Sequence, residues 1–176
     1  MELTLSYVLS QVFIILNYIF LIITYQLKDR KKILLFNIAS LSSAGLSYVF
    51  LSAYTGLAMV FVSIIRNIVL IINEKKNGIS KSVTVNEILI LFVIYSITIV
   101  LSVITFNGYL SLMSVAATML YTYSVCQKNT KVYKWLGVPV SLCWIAYNIY
   151  ISSLFGIILE TILMASAIVG YLQERK

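Results

Sequence analysis

The chain has no histidine, a single proline and two cysteines, and only 11% of its 176 residues are charged. Without histidine, zinc chemistry and imidazole acid–base catalysis lose their usual agent. Two cysteines, one at a helix end (Cys126) and one inside an apolar run (Cys143), make no disulfide framework. The catalytic constellations are missing as well: no HExxH, no Ser-His-Asp set, no glycine-rich phosphate loop and no pair of aspartates within the apolar runs. No enzymatic activity, cofactor or metal is expected. The scarcity of charge also excludes an ordinary soluble domain, where about 25% of residues are charged. Thirteen basic and six acidic side chains cannot clothe a water-facing surface on a chain of this size.

What fills the chain is apolar sequence, 61% of residues, with a mean hydropathy of +0.98. A bilayer core asks for about 20 such residues per helix. Seven runs meet or approach that length, at about 4–26, 33–53, 56–73, 86–106, 110–126, 134–153 and 156–172. They are continuous rather than alternating, which excludes β-barrel strands. The first run is followed by the basic stretch "KDRKK" and preceded only by Glu2, so it reads as a retained helix rather than a cleaved signal. The expected fold class is an all-α integral membrane protein.

Net charge of +7 does not point to nucleic acid, because the basic residues are confined by position. Lys28, Arg30, Lys31 and Lys32 follow run one, and Lys75, Lys76 and Lys81 follow run three. Lys128, Lys131 and Lys134 follow run five, and Arg175 and Lys176 follow run seven. The connections after runs two, four and six carry no Lys or Arg. By the positive-inside rule this predicts a multi-pass protein with its N-terminus outside and its C-terminus in the cytoplasm.

An offset of 100 residues aligns the chain with itself without gaps. Lys28 falls on Lys128, Lys31 on Lys131, Ser52 on Ser152 and Gly56 on Gly156. Internal repetition of this kind predicts a 3+1+3 plan within one membrane domain. Repeat one covers about 4–73, a linker helix about 86–106, and repeat two about 110–172. An odd linker gives both repeats the same orientation, an arrangement found in parallel-repeat transporters. Each connection between the second and third helix of a repeat is expected to be a short uncharged turn ending in Gly56 or Gly156.

Polar residues recur on single helix faces: Asn17 in the first run, Asn37, Ser40, Ser43 and Ser47 in the second, and Ser141, Trp144 and Asn148 in the sixth. Small polar residues also serve as packing glue between membrane helices. Two charges lie inside runs, Arg66 beside Asn67, and Glu160. Ionisable groups in such places face a bundle interior or an aqueous cavity. Trp144 and Asn148, one turn apart, offer an indole face and an amide. The candidate solute-binding set is therefore Trp144, Asn148, Glu160, Arg66, Asn67, Ser43, Ser47 and Asn17. Pro139, which removes one backbone hydrogen bond, is expected to bend the sixth helix.

The segments "YQLKDRKK", "YVFLSAYTG" leading into "IIRN", and "WIAYNIYISSLFGIILE" resemble the YgjV-like bacterial inner-membrane proteins. This resemblance implies a bacterial plasma-membrane location and little about activity. More distantly the plan is similar to SWEET, PQ-loop and PnuC-type transporters, in which an aromatic on helix six and a polar residue on helix seven help bind solute. Trp144 and Glu160 fall in comparable places. The chain lacks the Pro-Gln dipeptide and has no proline in its first, second or fifth run, so proline gating does not carry over. The expected function is passage of a small, neutral, polar solute, sugar- or vitamin-like. The alternative is a non-transporting membrane partner, sensor or assembly protein. The expected partners are the lipid bilayer, the solute and further copies of the chain as a homo-oligomer, with no nucleic acid.

Overall fold

The computed structural model describes residues 5–26, 30–78, 83–126 and 130–173. The basic connections 27–29, 79–82 and 127–129, and both termini, lie outside the described residues, as does the reading placed on them. The described residues form seven α-helices and one short 3-10 turn. These are α1 (Leu5–Gln26), α2 (Arg30–Phe50), α3 (Tyr54–Asn77), α4 (Val85–Ile104), α5 (Leu112–Cys126), α6 (Thr130–Tyr150) and α7 (Leu154–Gln173), with the 3-10 turn at Tyr109–Ser111 before α5.

Four stretches among the described residues are long and apolar enough to cross a membrane: Leu5–Ile23, Tyr54–Asn77, Val85–Ile104 and Tyr109–Cys126. Leu34–Phe50 and Leu154–Val169 are shorter apolar helices. The surface matches a lipid environment. Large apolar side chains such as Phe92, Val103 and Ile104 on α4 and Ile162 on α7 are exposed, while Ser, Thr and Asn side chains are buried in numbers. Transfer of those hydroxyls and amides into hydrocarbon is costly, so most of them turn inward, and exposed ones such as Ser42 and Thr161 donate to carbonyls of their own helix.

Six helices form a ring. Each of α1, α2 and α3 packs on the next, α3 meets α5, then α5, α6 and α7 follow in order, and α7 returns to α1. Helix α4 packs only along the α3–α5 side, outside the ring. Its start is fixed by a capping box: Thr84 Oγ1 accepts from the Glu87 backbone N–H while the Glu87 carboxylate accepts from the Thr84 N–H at 2.9 Å. Its buried residues, Glu87, Ile94, Thr98 and Ser102, recur at helical spacing along one side.

The turns between α2 and α3 and between α6 and α7 are built alike. Ser52 (φ 54°) and Ser152 (φ 57°) take the left-handed conformation. The Ala53 N–H donates to the Tyr48 carbonyl and the Ser153 N–H to the Asn148 carbonyl, each at 2.9 Å. The Ser52 and Ser152 N–H groups donate to the carbonyls of Val49 and Ile149, each at 3.1 Å. This is the Schellman termination, which satisfies carbonyls that a helix end leaves open.

The sequence places Gly56 and Gly156 at the turn, and the structure corrects this. Both glycines lie in the first turn of the following helix, and serine takes the strained position. A non-glycine residue in the left-handed region costs about 1–3 kcal/mol. Ser52 and Ser152 are both exposed, so little packing is at stake there. Ser52→Gly and Ser152→Gly are expected to match or exceed the wild-type unfolding temperature in detergent micelles. Valine at either position should lower stability by about 1–2 kcal/mol, because β-branching worsens that conformation.

Candidate functional site

The ring encloses a cavity of about 310 Å³, lined by residues of α1, α2, α3, α5, α6 and α7 and by none of α4. Its wall extends along most of the helix length. At one end is Asn148, two residues from the end of α6, and at the other is Ser124, two residues from the opposite end of α5.

The wall is polar where side chains from different helices meet. Asn17 of α1 and Ser40 of α2 are hydrogen-bonded to each other through their side chains, and both line the cavity. Glu160 of α7 stands beside the hydroxyls of Tyr18 of α1 and Ser141 of α6, and all three line it. Tyr48 of α2 and Trp144 of α6 stack across it, with ring centroids 6.2 Å apart and planes 13° apart. Asn148 is 2% exposed, and its Oδ1 has no hydrogen-bond partner in the structure. Gly156 makes room for that amide, since a Cβ there would lie 2.6 Å from Asn148 Oδ1.

Of the candidates from sequence, Trp144, Asn148, Glu160 and Asn17 therefore share one cavity. Arg66 and Asn67 do not reach it. Arg66 is fully buried in the middle of α3, where its Nη1 donates to Thr122 Oγ1 of α5 at 3.0 Å. Its Nε and Nη2 both donate to Asn67 Oδ1, at 3.2 and 3.1 Å. Asn67 Nδ2 in turn donates to Asn37 Oδ1 of α2 at 2.7 Å. The ring of Tyr121, which does line the cavity, has its centroid 4.9 Å from Arg66 Cζ. The guanidinium thus lies behind the wall and ties three helices together. A cation stacked on an aromatic face and held by amide and hydroxyl oxygens is stabilised without meeting lipid.

Ser43 and Ser47 are corrected too: both are buried, but neither lines the cavity. Ser43 Oγ donates to its own helix at the Ala39 carbonyl, and Ser47 is fully buried with no hydrogen-bond partner for its Oγ in the structure. Hydroxyls on α5 behave like Ser43. Ser114, Thr118 and Thr122 donate to the carbonyls of Ser111, Ser114 and Thr118. Such back-bonding is how serine and threonine satisfy themselves within a helix. Pro139 lies inside α6, which runs as one helix from Thr130 to Tyr150. Two residues earlier, Gly137 lines the cavity and lets α6 approach Ala167 of α7, 3.2 Å from where a Cβ would stand.

The aromatic residues Tyr18, Tyr48, Tyr121 and Tyr147 were missed from sequence. Tyr48 had a usable signal, because the 100-residue offset sets it on Asn148. Tyr147 is 1% exposed and stands edge-on to both Tyr48 and Trp144, with centroids 5.9 Å away in each case. On its other side it lines a second hollow, among the two Schellman turns and Tyr150. The Tyr147 ring does not itself line the central cavity; it packs against Tyr48 and Trp144, which do. Its hydroxyl accepts from the Gly56 N–H at 2.7 Å, occupying the space a Gly56 side chain would need.

The sequence matches the family model described as bacterial inner membrane protein, Imp-YgjV, over residues 8–176. The chain belongs to this family. No curated protein and no solved structure matches it, so the wider likeness to SWEET, PQ-loop and PnuC-type transporters finds no support there. Membership of Imp-YgjV agrees with the apolar helices and exposed apolar surface described above.

The fit of Tyr147 against Gly56 gives a direct test. A Cβ at Gly56 would stand 2.7 Å from both Cε1 and the hydroxyl of Tyr147. Gly56→Ala is expected to lower stability by about 1–3 kcal/mol through overpacking. Tyr147→Ser removes the ring, so the double variant Gly56→Ala/Tyr147→Ser should be clearly less destabilised than the sum of the two single changes. Additive losses in thermal unfolding would show that Gly56 and Tyr147 are not coupled.

Proposed function

We propose that this inner-membrane protein is a transporter or facilitator for a small polar solute, and not an enzyme. The observation that carries this reading is the central cavity. It runs along the helices and draws its wall from six of them. A bundle built only to pack its helices has no need for an internal volume lined by a carboxylate, amides and hydroxyls, since buried polar groups are costly without partners.

In this reading the chain crosses the membrane seven times in a 3+1+3 plan. Helices α1–α3 and α5–α7 form two parallel repeats, α4 is the linker, the N-terminus is outside and the C-terminus is cytoplasmic. The matching Schellman turns support the repeat, and confinement of basic residues to alternate connections supports the orientation. The end of the cavity at Asn148 then faces the outside. No nucleotide-binding motif is present in the sequence, so movement is passive or coupled to an ion gradient.

The test is accessibility followed by uptake. Single cysteines at Asn17, Ser124 and Asn148, in a background lacking Cys126 and Cys143, are probed with a membrane-impermeant thiol reagent from each side. Position 124 is expected to label from the cytoplasmic side, and position 148, 2% exposed, to label from outside only once Gly56→Ala loosens the packing around it. Proteoliposomes are then screened with polar solutes. A cavity that labels from neither side, with no uptake of any solute, would replace this proposal with the non-transporting partner or sensor.

A further inference from the structure

Glu160 is the only charged side chain among the described residues lining the cavity. The other nearby charge, Arg66, is engaged by Asn67, Thr122 and the face of Tyr121, behind the wall. The field offered to an occupant is therefore that of a carboxylate. The hydroxyls of Tyr18 and Ser141 flank the carboxylate from α1 and α6.

The surroundings of that carboxylate share its sign. Tyr48 and Trp144 form a stacked aromatic pair on the same cavity, and Tyr18 adds a third ring. The faces of aromatic rings carry negative charge density and attract ammonium groups. Between the neutral amides and hydroxyls the wall is apolar, with Ile14, Val140 and Leu163. A metal ion would find a single carboxylate there and, among the described residues, no cluster of acidic, histidine or cysteine ligands, whereas the methyl or methylene groups of an organic cation would find contact surface. A neutral polyol could use the hydroxyls and amides but would leave the carboxylate desolvated with no compensating charge.

Resting on the reading of the cavity as a solute site, we infer that its ligand is a small organic cation, an ammonium or pyridinium type compound. Its charge is held between the Glu160 carboxylate and the aromatic faces of Tyr48 and Trp144. This replaces the neutral solute expected from sequence. Glu160 supplies the charge selectivity, and the rings select an alkylated or aromatic cation over a hydrated one.

The experiment uses the full chain purified in detergent and titration calorimetry. The probes are ethylammonium, choline and N-methylpyridinium, set against sorbitol and the uncharged neohexyl alcohol, in which carbon replaces the quaternary nitrogen of choline. At least one cation is expected to bind at least about tenfold more tightly than the uncharged compounds. Glu160→Gln should erase that preference and Trp144→Leu should reduce it, while Glu74→Gln, outside the cavity, leaves it unchanged. If Glu160→Gln does not fold, Trp144→Leu against the choline and neohexyl alcohol pair decides. Equal affinities for choline and its isostere, or a preference that survives both cavity changes, overturns the inference. Tighter binding of sorbitol overturns it too, but leaves the solute-site reading standing. Binding of none of the probes also overturns it, and cysteine labelling, which needs no ligand, then judges the solute site separately.

Discussion

Hydrocarbon accepts no hydrogen bonds, and the architecture follows from that constraint. Backbone groups are satisfied within helices, and at the two tight turns by Schellman bonds that leave few carbonyls open. Side-chain polarity faces inward because it cannot face outward. Once six helices each turn a polar stripe inward, the stripes must pair with one another, with their own backbones, or with something admitted between them. All three outcomes occur. Ser40 pairs with Asn17, Thr118 and Thr122 return to their own helix, and the wall between Tyr18 and Asn148 encloses space.

The two intramembrane charges have been given different work. Arg66 is fully enclosed and links α3 to α5 directly and to α2 through Asn67 and Asn37. Breaking such a buried charged network is strongly destabilising, which suits a fixed joint. Glu160 is half-buried because it faces the cavity, and its partners come from the two helices on either side of α7. One charge is committed to structure and the other is presented to an occupant, although both look alike in the sequence.

Much of the fold was legible from residues alone. Helix positions agree to within a few residues, and the alignment of Ser52 with Ser152 anticipates two turns with the same hydrogen bonds. The site was only half legible. Helical spacing groups Asn37, Ser40, Ser43 and Ser47 on a face, but a face is wider than a cavity wall, and only neighbouring helices decide which members are enclosed. Arg66 was drawn toward the cavity by a sound argument about cost, yet Tyr121 and Asn67 meet that cost without a cavity. Tyr147 was not read as part of the site because tyrosine in an apolar run carries no periodic signature. Its role appears only when Gly56, 91 residues away, is seen to leave room for its hydroxyl.

The ring of helices is closed by contact between its first and last members. Tyr18 of α1 reaches the Gly156 carbonyl of α7 at 3.4 Å, and Gln11 Oε1 accepts from the Phe155 N–H, 144 residues away, at 3.1 Å. Both sides of that seam also line the cavity, Ile14, Asn17 and Tyr18 from α1 and Glu160 and Leu163 from α7, so its wall is whole only where helices far apart in the sequence have met.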